Sequence, residues 1–336
     1  MGIKNMHVFL KRNGAASIYQ TISLEELRNL KIAVDTSIYM CRFKSSMGTK
    51  WLQGFWNLVL TFKKYGIVPL FVYDSKAPPE KEHERQLRQD SKNKIQQRIT
   101  TLSAEWDAFD QQPNSLEDIK HFPALEKIVL RFNMKSKNEL LEYILRIQNS
   151  GTKIASVDFD LTKDLFHHCG FSVMQAPGEA EALCAFLNRN DLVDGVLTED
   201  TDVLAYRTPV MFHHFDMTAG TVMRIKTEDI LRTLNISDDS FLDFAICCGT
   251  DYNRNMTKVG PQRAYQLIQK HKSIDCIPNV DTTCLNHVRV REIFNPQYDI
   301  HTVEWNDSPV EWNMLQRFCF ENNLRKEEKM REYFYQ

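Results

Sequence analysis

The sequence contains no long hydrophobic run. None of its apolar stretches approaches the ~20 residues that a helix needs to span a bilayer. The opening segment, MGIKNMHVFLKRNG, lacks the apolar centre of a secretory signal. Met6 stands where an N-myristoylation motif beginning at Gly2 requires Ser or Thr. We therefore expect an intracellular protein with no membrane partner and no lipid anchor.

An excess of charge of one sign and paired metal-binding cysteines are also missing. Lys and Arg total 42 against 44 Asp and Glu, so the overall charge indicates no class of partner. The eight cysteines show no CxxC spacing, which argues against a disulfide framework and against a structural zinc site. No P-loop or internal repeat occurs. A chain of 336 residues that is 43% hydrophobic predicts one large core with a second subregion.

Four carboxylates are concentrated in one stretch, QAPGEAEALCAFLNRNDLVDGVLTEDTD, which spans residues 175–202. Its Pro177-Gly178 pair ends a strand-like run and predicts the start of a helix. Glu179 and Glu181 lie in the first helical turn, where acids are favourable. Residues two apart point in opposite directions along a helix body, so both glutamates can face one site only from this first turn.

Apolar runs that end in aspartate predict a parallel sheet with acids at one edge. Residues 193–198 have the pattern of a buried strand that delivers Asp200 and Asp202 at its carboxyl end. Residues 31–34 end in the same way at Asp35, and residues 67–73 end at Asp74. The fold class predicted is α/β, with a mostly parallel central sheet flanked by helices. Further strands are expected at residues 171–174, 210–213 and 221–225, and helices include residues 23–30, 50–65 and 157–170.

Seven acids are expected to meet at the carboxyl edge of this sheet. Carboxylates in such proximity repel one another unless cations neutralise them, and hard divalent cations such as Mg²⁺ prefer oxygen ligands. Two ions could activate a water and stabilise the leaving oxygen of a phosphodiester. For any single Asp, a helix cap or turn is the commoner role. The seven are Asp35, Asp74, Glu179, Glu181, Asp200, Asp202 and Asp251.

A basic stripe follows Asp74 on a predicted helix. Lys81, Arg85, Arg88 and Lys92 recur at the spacing of one helical face, beside the expected acids. The alternative is a solvated helix, because acids are interleaved with these cations at Glu80, Glu82, Glu84 and Asp90. Both interpretations remain open on charge alone, and the position next to Asp74 favours a functional role.

Two further regions complete the chain. Residues 100–151 have a helical, partly apolar pattern and are expected to elaborate the core, with candidate core positions at Trp106, Phe109, Leu125, Ile128, Val129, Leu140, Leu141, Ile144 and Leu145. Gly260-Pro261 predicts the start of a helix whose exposed amides can hold a phosphate.

Six ordered motifs resemble the structure-specific 5′ nucleases that include flap endonuclease and the xeroderma pigmentosum G nuclease. The resemblance covers most of the chain. It rests on MGIKNM, VDTSIY around Asp35, VYDSKAPP around Asp74, APGEAEALCA around Glu179 and Glu181, TEDTD with Asp200 and Asp202, and GTDY with Asp251.

The resemblance implies a PIN-like nuclease fold and roles for particular residues. All seven acids become ligands of two Mg²⁺ ions, with Mn²⁺ as a substitute, and Lys81 and Arg88 become the basic pair that faces the scissile phosphate. The segment VGPQRAYQLIQKHKSI is similar to the helix-two-turn-helix that grips duplex DNA. The DNA-binding residues implied are Gly2, Lys81, Arg85, Arg88, Lys92, Lys258, Gly260, Gln262 and Arg263.

The resemblance also divides the chain and exposes departures. The segment between Asp74 and Glu179 is longer than in flap enzymes. Lys258 replaces the first glycine of a GxG motif that often accompanies a potassium ion in the family. No QxxLxxFF-like segment follows Leu324, so docking on a sliding clamp is not supported by this sequence. The expected units are residues 1–76 and 151–250 as nuclease core, 77–150 as helical arch or insertion, 251–280 as helix-two-turn-helix, and 281–336 as a C-terminal helical part.

The function expected is a magnesium-dependent 5′ nuclease of branched DNA that cuts flaps first, with 5′ to 3′ exonuclease activity as a further possibility, acting in the nucleus or at another site of DNA replication. A Holliday junction resolvase of the same family is an alternative, and since a four-way junction needs two symmetric sites, it predicts a homodimer on DNA. A DNA-binding scaffold without activity is a second alternative, because fold does not imply function.

Overall fold

A seven-stranded sheet forms the centre of the protein in a computed structural model that describes residues 2–111, 116–278, 281–306, 308–325 and 328–334. The strands are β1 (Gln20–Ser23), β2 (Lys31–Asp35), β3 (Val68–Tyr73), β4 (Ser172–Gln175), β5 (Gly195–Leu197), β6 (Val210–Asp216) and β7 (Thr221–Lys226). Their order across the sheet is β1-β7-β6-β5-β2-β3-β4. Strands β4, β3, β2, β5 and β6 are parallel, whereas β7 and β1 extend the sheet antiparallel.

Helices surround this sheet. In chain order the α-helices are α1 (Met6–Ile18), α2 (Thr36–Met47), α3 (Trp51–Tyr65), α4 (Glu82–Asp110), α5 (Pro123–Phe132), α6 (Lys137–Ser150), α7 (Ser156–His168), α8 (Ala180–Arg189), α9 (Asp202–Ala205), α10 (Thr227–Leu234), α11 (Asp238–Cys248), α12 (Pro261–His271), α13 (His287–Ile293), α14 (Trp312–Glu321) and α15 (Glu328–Phe334). Short 3₁₀ helices occupy Leu24–Leu27, Gly48–Lys50, Pro79–Lys81, Leu116–His121, Ile274–Cys276 and Thr283–Leu285.

The predicted α/β fold is confirmed, and its sheet explains how the acids meet. Ile32, Ala33 and Val34 of β2 are all buried, as expected for a parallel strand covered on both faces. Strand β2 pairs with β3 on one side and β5 on the other. The carboxyl ends of these three neighbours therefore lie at one edge, and Asp35 is the last residue of β2.

Two apolar cores cover the faces of the sheet. One includes α8 and α11, with Leu183 and Phe244 fully buried, and the other includes α3 and α7, with Phe55 and Phe166 fully buried. Rings of Phe71 and Phe166 stack between β3 and α7. The first of these cores holds α8 against the sheet, and with it the glutamate in its first turn.

The insertion packs a small core of its own. Five of its expected core positions are buried, but Leu145 is 47% exposed, so that expectation was wrong. The apolar face of α6 turns toward α4 and α5, which leaves Leu145 on the opposite side. The buried five are Phe109, Leu125, Ile128, Leu140 and Ile144.

The helix expected at residues 23–30 is instead the end of β1 followed by a 3₁₀ turn over Leu24–Leu27. The capping signal itself is present, because the Ser23 hydroxyl accepts from the Glu25 amide and the Glu26 carboxylate accepts from the Ser23 amide. Pairing of β1 with β7 holds the preceding residues in an extended conformation, which leaves room for one turn only. Among the described residues no helix is long and apolar enough to cross a membrane.

Candidate active site

Three buried carboxylates form the centre of the candidate site. One oxygen from each of Glu181, Asp200 and Asp202 lies within 4.8 Å of the other two. Glu181 lies in the first turn of α8, Asp200 follows β5, and Asp202 begins α9. The three therefore come from a helix start and a strand end, as the sequence pattern predicts.

Hydrogen bonds fix the turn that carries two of these acids. The Asp200 carboxylate accepts from the Asp202 amide at 3.0 Å, and the Thr198 hydroxyl accepts from the Asp200 amide at 3.1 Å. The same hydroxyl donates to Asp35 at 3.2 Å. The short residues of TEDTD thus lock their own backbone, and the side chain of Asp202 is left out of the network.

Asp202 is the most unusual residue of the site. Its side chain is 0% exposed, and neither of its carboxylate oxygens has a hydrogen-bond partner among the described residues. Burial, together with repulsion from Asp200 and Asp251, raises the pKa of Asp202 well above its usual value. A buried carboxylate without a donor is strongly unfavourable. A hard divalent cation satisfies this set of oxygens, so the residues fit a metal centre.

Asp35 and Asp74 lie beside this triad and also cap helices. Asp35 accepts from the amide of Ile38 at 3.3 Å, at the start of α2. Asp74 accepts from the amide of Ala180 at 2.6 Å, at the start of α8. Burial, and then repulsion from Asp74 and Asp200, raises the pKa of Asp35 to about 8. Capping and a place in the acidic cluster are therefore combined in the same side chains.

Two cations from the start of the insertion neutralise the other acids. The Lys81 ammonium pairs with Glu179 and lies 3.4 Å from an Asp251 oxygen and 3.8 Å from a Glu181 oxygen. Arg88 lies seven residues further along the chain, in α4, and pairs with the same Asp251 oxygen. Burial alone would lower the pKa of Lys81, but these carboxylates outweigh burial and raise it. Both cations point at the acids, as their spacing predicts.

Tyr252 is a site residue to which the sequence reasoning assigned no role. Its hydroxyl lies 2.6 Å from the Tyr206 hydroxyl, donates to Glu179, and lies 3.5 Å from Glu181. Burial, followed by the neighbouring Tyr206 and glutamates, raises the pKa of Tyr252. Its position directly after Asp251 in GTDY was the available signal. Nothing local to the sequence, however, indicates the contact with α8.

Gly2, expected to contact DNA, lies against the acids themselves. Its φ is +82°, and a Cβ atom there would lie 2.0 Å from an Asp200 carboxylate oxygen and 2.6 Å from the Asp202 amide. Only glycine allows the chain to pass this close to the triad.

Comparisons with known proteins agree with this geometry. The XPG N-terminal domain matches residues 1–95, and the XPG I-region matches residues 170–251. A probable RAD2-like endonuclease (076L) of Invertebrate iridescent virus 3 is 32% identical, over 92% of this chain and 90% of its own length. The chain belongs to the XPG and flap endonuclease family of structure-specific nucleases.

Another relative and a solved structure extend the match. Flap endonuclease 1 of Cryptosporidium muris is 28% identical, over 93% of this chain and 66% of its own length. The catalytic core of Rad2 in complex with DNA substrate superposes with a TM-score of 0.68 at 18% identity, covering 99% of this chain and 98% of that one. At that identity the likeness shows the fold alone, and it confirms the expected nuclease fold.

The segment that the sequence predicts to grip duplex DNA contains the helix α12. Gly260 precedes α12, and no atom lies within 4 Å of where its Cβ would be, so the surface in front of it is open. Lys258, which the resemblance aligns with a glycine, has a φ of 62°, the left-handed conformation that glycine adopts most readily. A cavity of about 460 Å³ beside Gly260 is lined by Arg12, Gln262 and Arg263, among others.

The basic stripe divides into two parts. Lys81 and Arg88 reach the acids, but Arg85 forms an exposed ion pair with Glu82, and Lys92 is exposed. Arg85 and Lys92 lie on the exposed surface of α4 and their predicted DNA contacts stay a prediction, whereas Lys81 and Arg88 belong to the candidate site.

Proposed function

We propose that the protein is a divalent-metal-dependent, structure-specific 5′ nuclease that hydrolyses phosphodiester bonds in branched DNA. Its first substrates are 5′ flaps, with 5′ to 3′ exonuclease cleavage at ends or gaps, in DNA replication, repair or recombination at an intracellular site. Membership of the family supports branched DNA as the substrate. The single observation that carries the metal dependence is the buried carboxylate of Asp202, which lacks a partner among the described residues.

The acids of the site would hold two Mg²⁺ ions, with Mn²⁺ as a substitute. When bound, such ions supply positive charge at a phosphate and lower the pKa of a water. The triad provides three buried carboxylates, and among the described residues no donor competes for the oxygens of Asp202. The residues proposed as ligands are Asp35, Asp74, Glu179, Glu181, Asp200, Asp202 and Asp251.

Lys81 and Arg88 are the residues proposed to act on the scissile phosphate. Both are held at the acids by ion pairs, so they already lie where a phosphate oxygen would meet the site. Exchanging a carboxylate for a phosphate oxygen keeps each cation paired, and the preorganised charge stabilises the oxygens as the bond breaks. Tyr252 contributes by orienting Glu179 through its hydroxyl.

Duplex DNA is proposed to bind along α12 and its preceding loop. The open surface at Gly260 admits a phosphate to the amides that begin the helix, and Lys258, Gln262 and Arg263 are exposed beside it. The insertion, residues 77–150, carries Lys81 and Arg88 and is proposed as the arch over the branch.

A panel of labelled substrates tests the proposal: 5′ flaps, 3′ flaps, gapped duplexes, bubbles and four-way junctions, each with Mg²⁺ or with EDTA. We expect 5′ flaps to be cut fastest and EDTA to stop all cleavage. Cleavage of 3′ flaps alone would contradict the proposal. Symmetric resolution of junctions by a homodimer would favour the resolvase alternative, and binding without any cleavage would favour the scaffold.

A further inference from the structure

The base of α4 is tied to the body of the protein by three side chains. Two of them, Lys81 and Arg88, pair with acids of the candidate site. The third contact joins Glu80 to Arg289 of α13, with the Arg289 Nε atom 2.7 Å from a Glu80 carboxylate oxygen. Among the described residues this is the ion pair that ties the base of α4 to the body without using an acid of the cluster.

The contacts of Lys81 and Arg88 with the acids are unsuitable as permanent anchors of α4. Lys81 and Arg88 must leave Glu179 and Asp251 in order to meet a phosphate, and metal ions compete for the same carboxylate oxygens. A contact that holds α4 through this exchange must therefore lie outside the cluster. The contact between Glu80 and Arg289 meets this requirement, and Glu80 immediately precedes Lys81.

Arg289 projects from a well-anchored helix. Two residues further along α13, Arg291 donates two hydrogen bonds of 2.7 Å to the buried carboxylate of Asp243 and pairs with Asp275 at 2.8 Å. Val290, between the two arginines, is fully buried. Arg289 also pairs at 2.8 Å with Glu292 on the same helix, but both side chains are exposed, so this surface pair contributes little to holding the guanidinium. The guanidinium is thus presented to Glu80 by a fixed support.

The receiving carboxylate is also restrained. The Glu80 side chain is 18% exposed, and its second oxygen is buried without a partner among the described residues. The hydrogen bond from Arg289 lowers the pKa of Glu80. Because the Arg289 side chain is 49% exposed, the pair is worth little in overall stability. Its consequence is local, at the turn Pro79–Lys81.

We propose that Arg289, through Glu80, is a positioning residue that keeps Lys81 at the site while Lys81 and Arg88 exchange carboxylates for the phosphate. The inference rests on the proposed function for its effect on cleavage. It assigns a role to α13, which lies outside both regions matched by the family.

Single-turnover cleavage of a 5′ flap at saturating enzyme tests the proposal in Arg289→Gln and Glu80→Gln. Each variant should lose about three- to tenfold in rate, the size of one partly exposed ion pair, with DNA affinity little changed. The double variant should be no slower than either single variant, and the charge swap Glu80→Arg with Arg289→Glu should recover most of the rate. Glu292→Gln, which removes the other partner of Arg289, is the matched control and should cleave normally.

Hydrogen exchange of residues 79–90 provides a readout that does not depend on activity. In Mg²⁺ without DNA, exchange of this segment should be faster in Arg289→Gln than in the wild type. Without metal the two should agree, because Lys81 and Arg88 still hold the helix. Additive rate losses, or equal exchange in Mg²⁺, would overturn the positioning role. Failure of the wild type to cleave any branched substrate would instead overturn the proposed function and leave the exchange test valid.

Discussion

The two halves of the acidic cluster differ in how their charge is balanced. On one side, Glu179 and Asp251 are paired with Lys81 and Arg88. On the other, Asp202 is fully buried and has no partner among the described residues. The protein neutralises the first half itself, whereas we propose that a cation from solution neutralises the second. The comparison separates acids that already have cationic partners from an acid that lacks one among the described residues.

The largest expected effect comes from removing an acid on either side. Asp200→Ala or Asp251→Ala should abolish cleavage and leave DNA binding largely intact, because metal ligation supports the chemistry whereas phosphate contacts elsewhere supply the affinity. Single-turnover rates beside gel-shift affinities measure both. Cleavage by either variant at near the wild-type rate in Mg²⁺ would mean that the two halves do not form one site.

The cations should have the next largest effect. Lys81→Ala and Arg88→Ala should each lower the single-turnover rate on the order of a hundredfold, because a preorganised donor at the reacting phosphate is lost. Arg85→Ala is the matched control, since Arg85 lies on the same helix but pairs with exposed Glu82. That variant should only weaken binding and flatten the salt dependence by about one unit. If all three variants weaken binding in step, the helix is a general electrostatic surface.

Without metal, substitutions in the two halves should change the free energy of unfolding in opposite directions. Asp202→Asn replaces a carboxyl whose ionisation is opposed by burial and by neighbouring acids, and we expect it to raise the free energy of unfolding at neutral pH by about 1–2 kcal/mol. Asp251→Asn breaks the pairs with Lys81 and Arg88 and should lower that free energy by a similar amount, about 1–2 kcal/mol. Urea unfolding in EDTA measures both. Destabilisation by both substitutions would show that Asp202 has a partner in the protein.

The smallest effect is expected at the loop that we propose to bind duplex DNA, which contributes no acid to either half. Gly260→Val should weaken duplex affinity modestly, because a side chain would fill the open approach to the first amides of α12, while the rate at saturating enzyme changes little. Fluorescence anisotropy with duplex DNA measures the affinity. Unchanged binding would leave Gly260 as an ordinary helix start.

The strand-end acids could be predicted from the sequence because parallel strands place their carboxyl ends together. Asp35, Asp74 and Asp200 each follow an apolar run, and that local signal is enough. The contacts of Gly2 with Asp200 and of Tyr252 with Glu179 could not be predicted, since each joins segments far apart in the chain.

Within the insertion, the sequence pattern was less able to distinguish buried residues from exposed ones. Leu145 fits the apolar pattern of α6 but lies on its outer face, because the small core is closed by α4 and α5 on the other side. Arg289 has no motif around it, and its partner Glu80 belongs to a run of mixed charges in which no acid is distinguished by sequence. Such pairs depend on tertiary geometry alone.

The most direct test of the account is a Mg²⁺ titration followed by thermal unfolding, without DNA, of the wild type and of Asp202→Asn. Ligand binding to the folded state stabilises it by an amount that rises with the ratio of free ion to Kd. We predict that Mg²⁺ raises the Tm of the wild type progressively and that the variant, already more stable in EDTA, responds far less. Equal rises in the two proteins would contradict the proposal that the carboxylate of Asp202, which has no partner among the described residues, holds the metal.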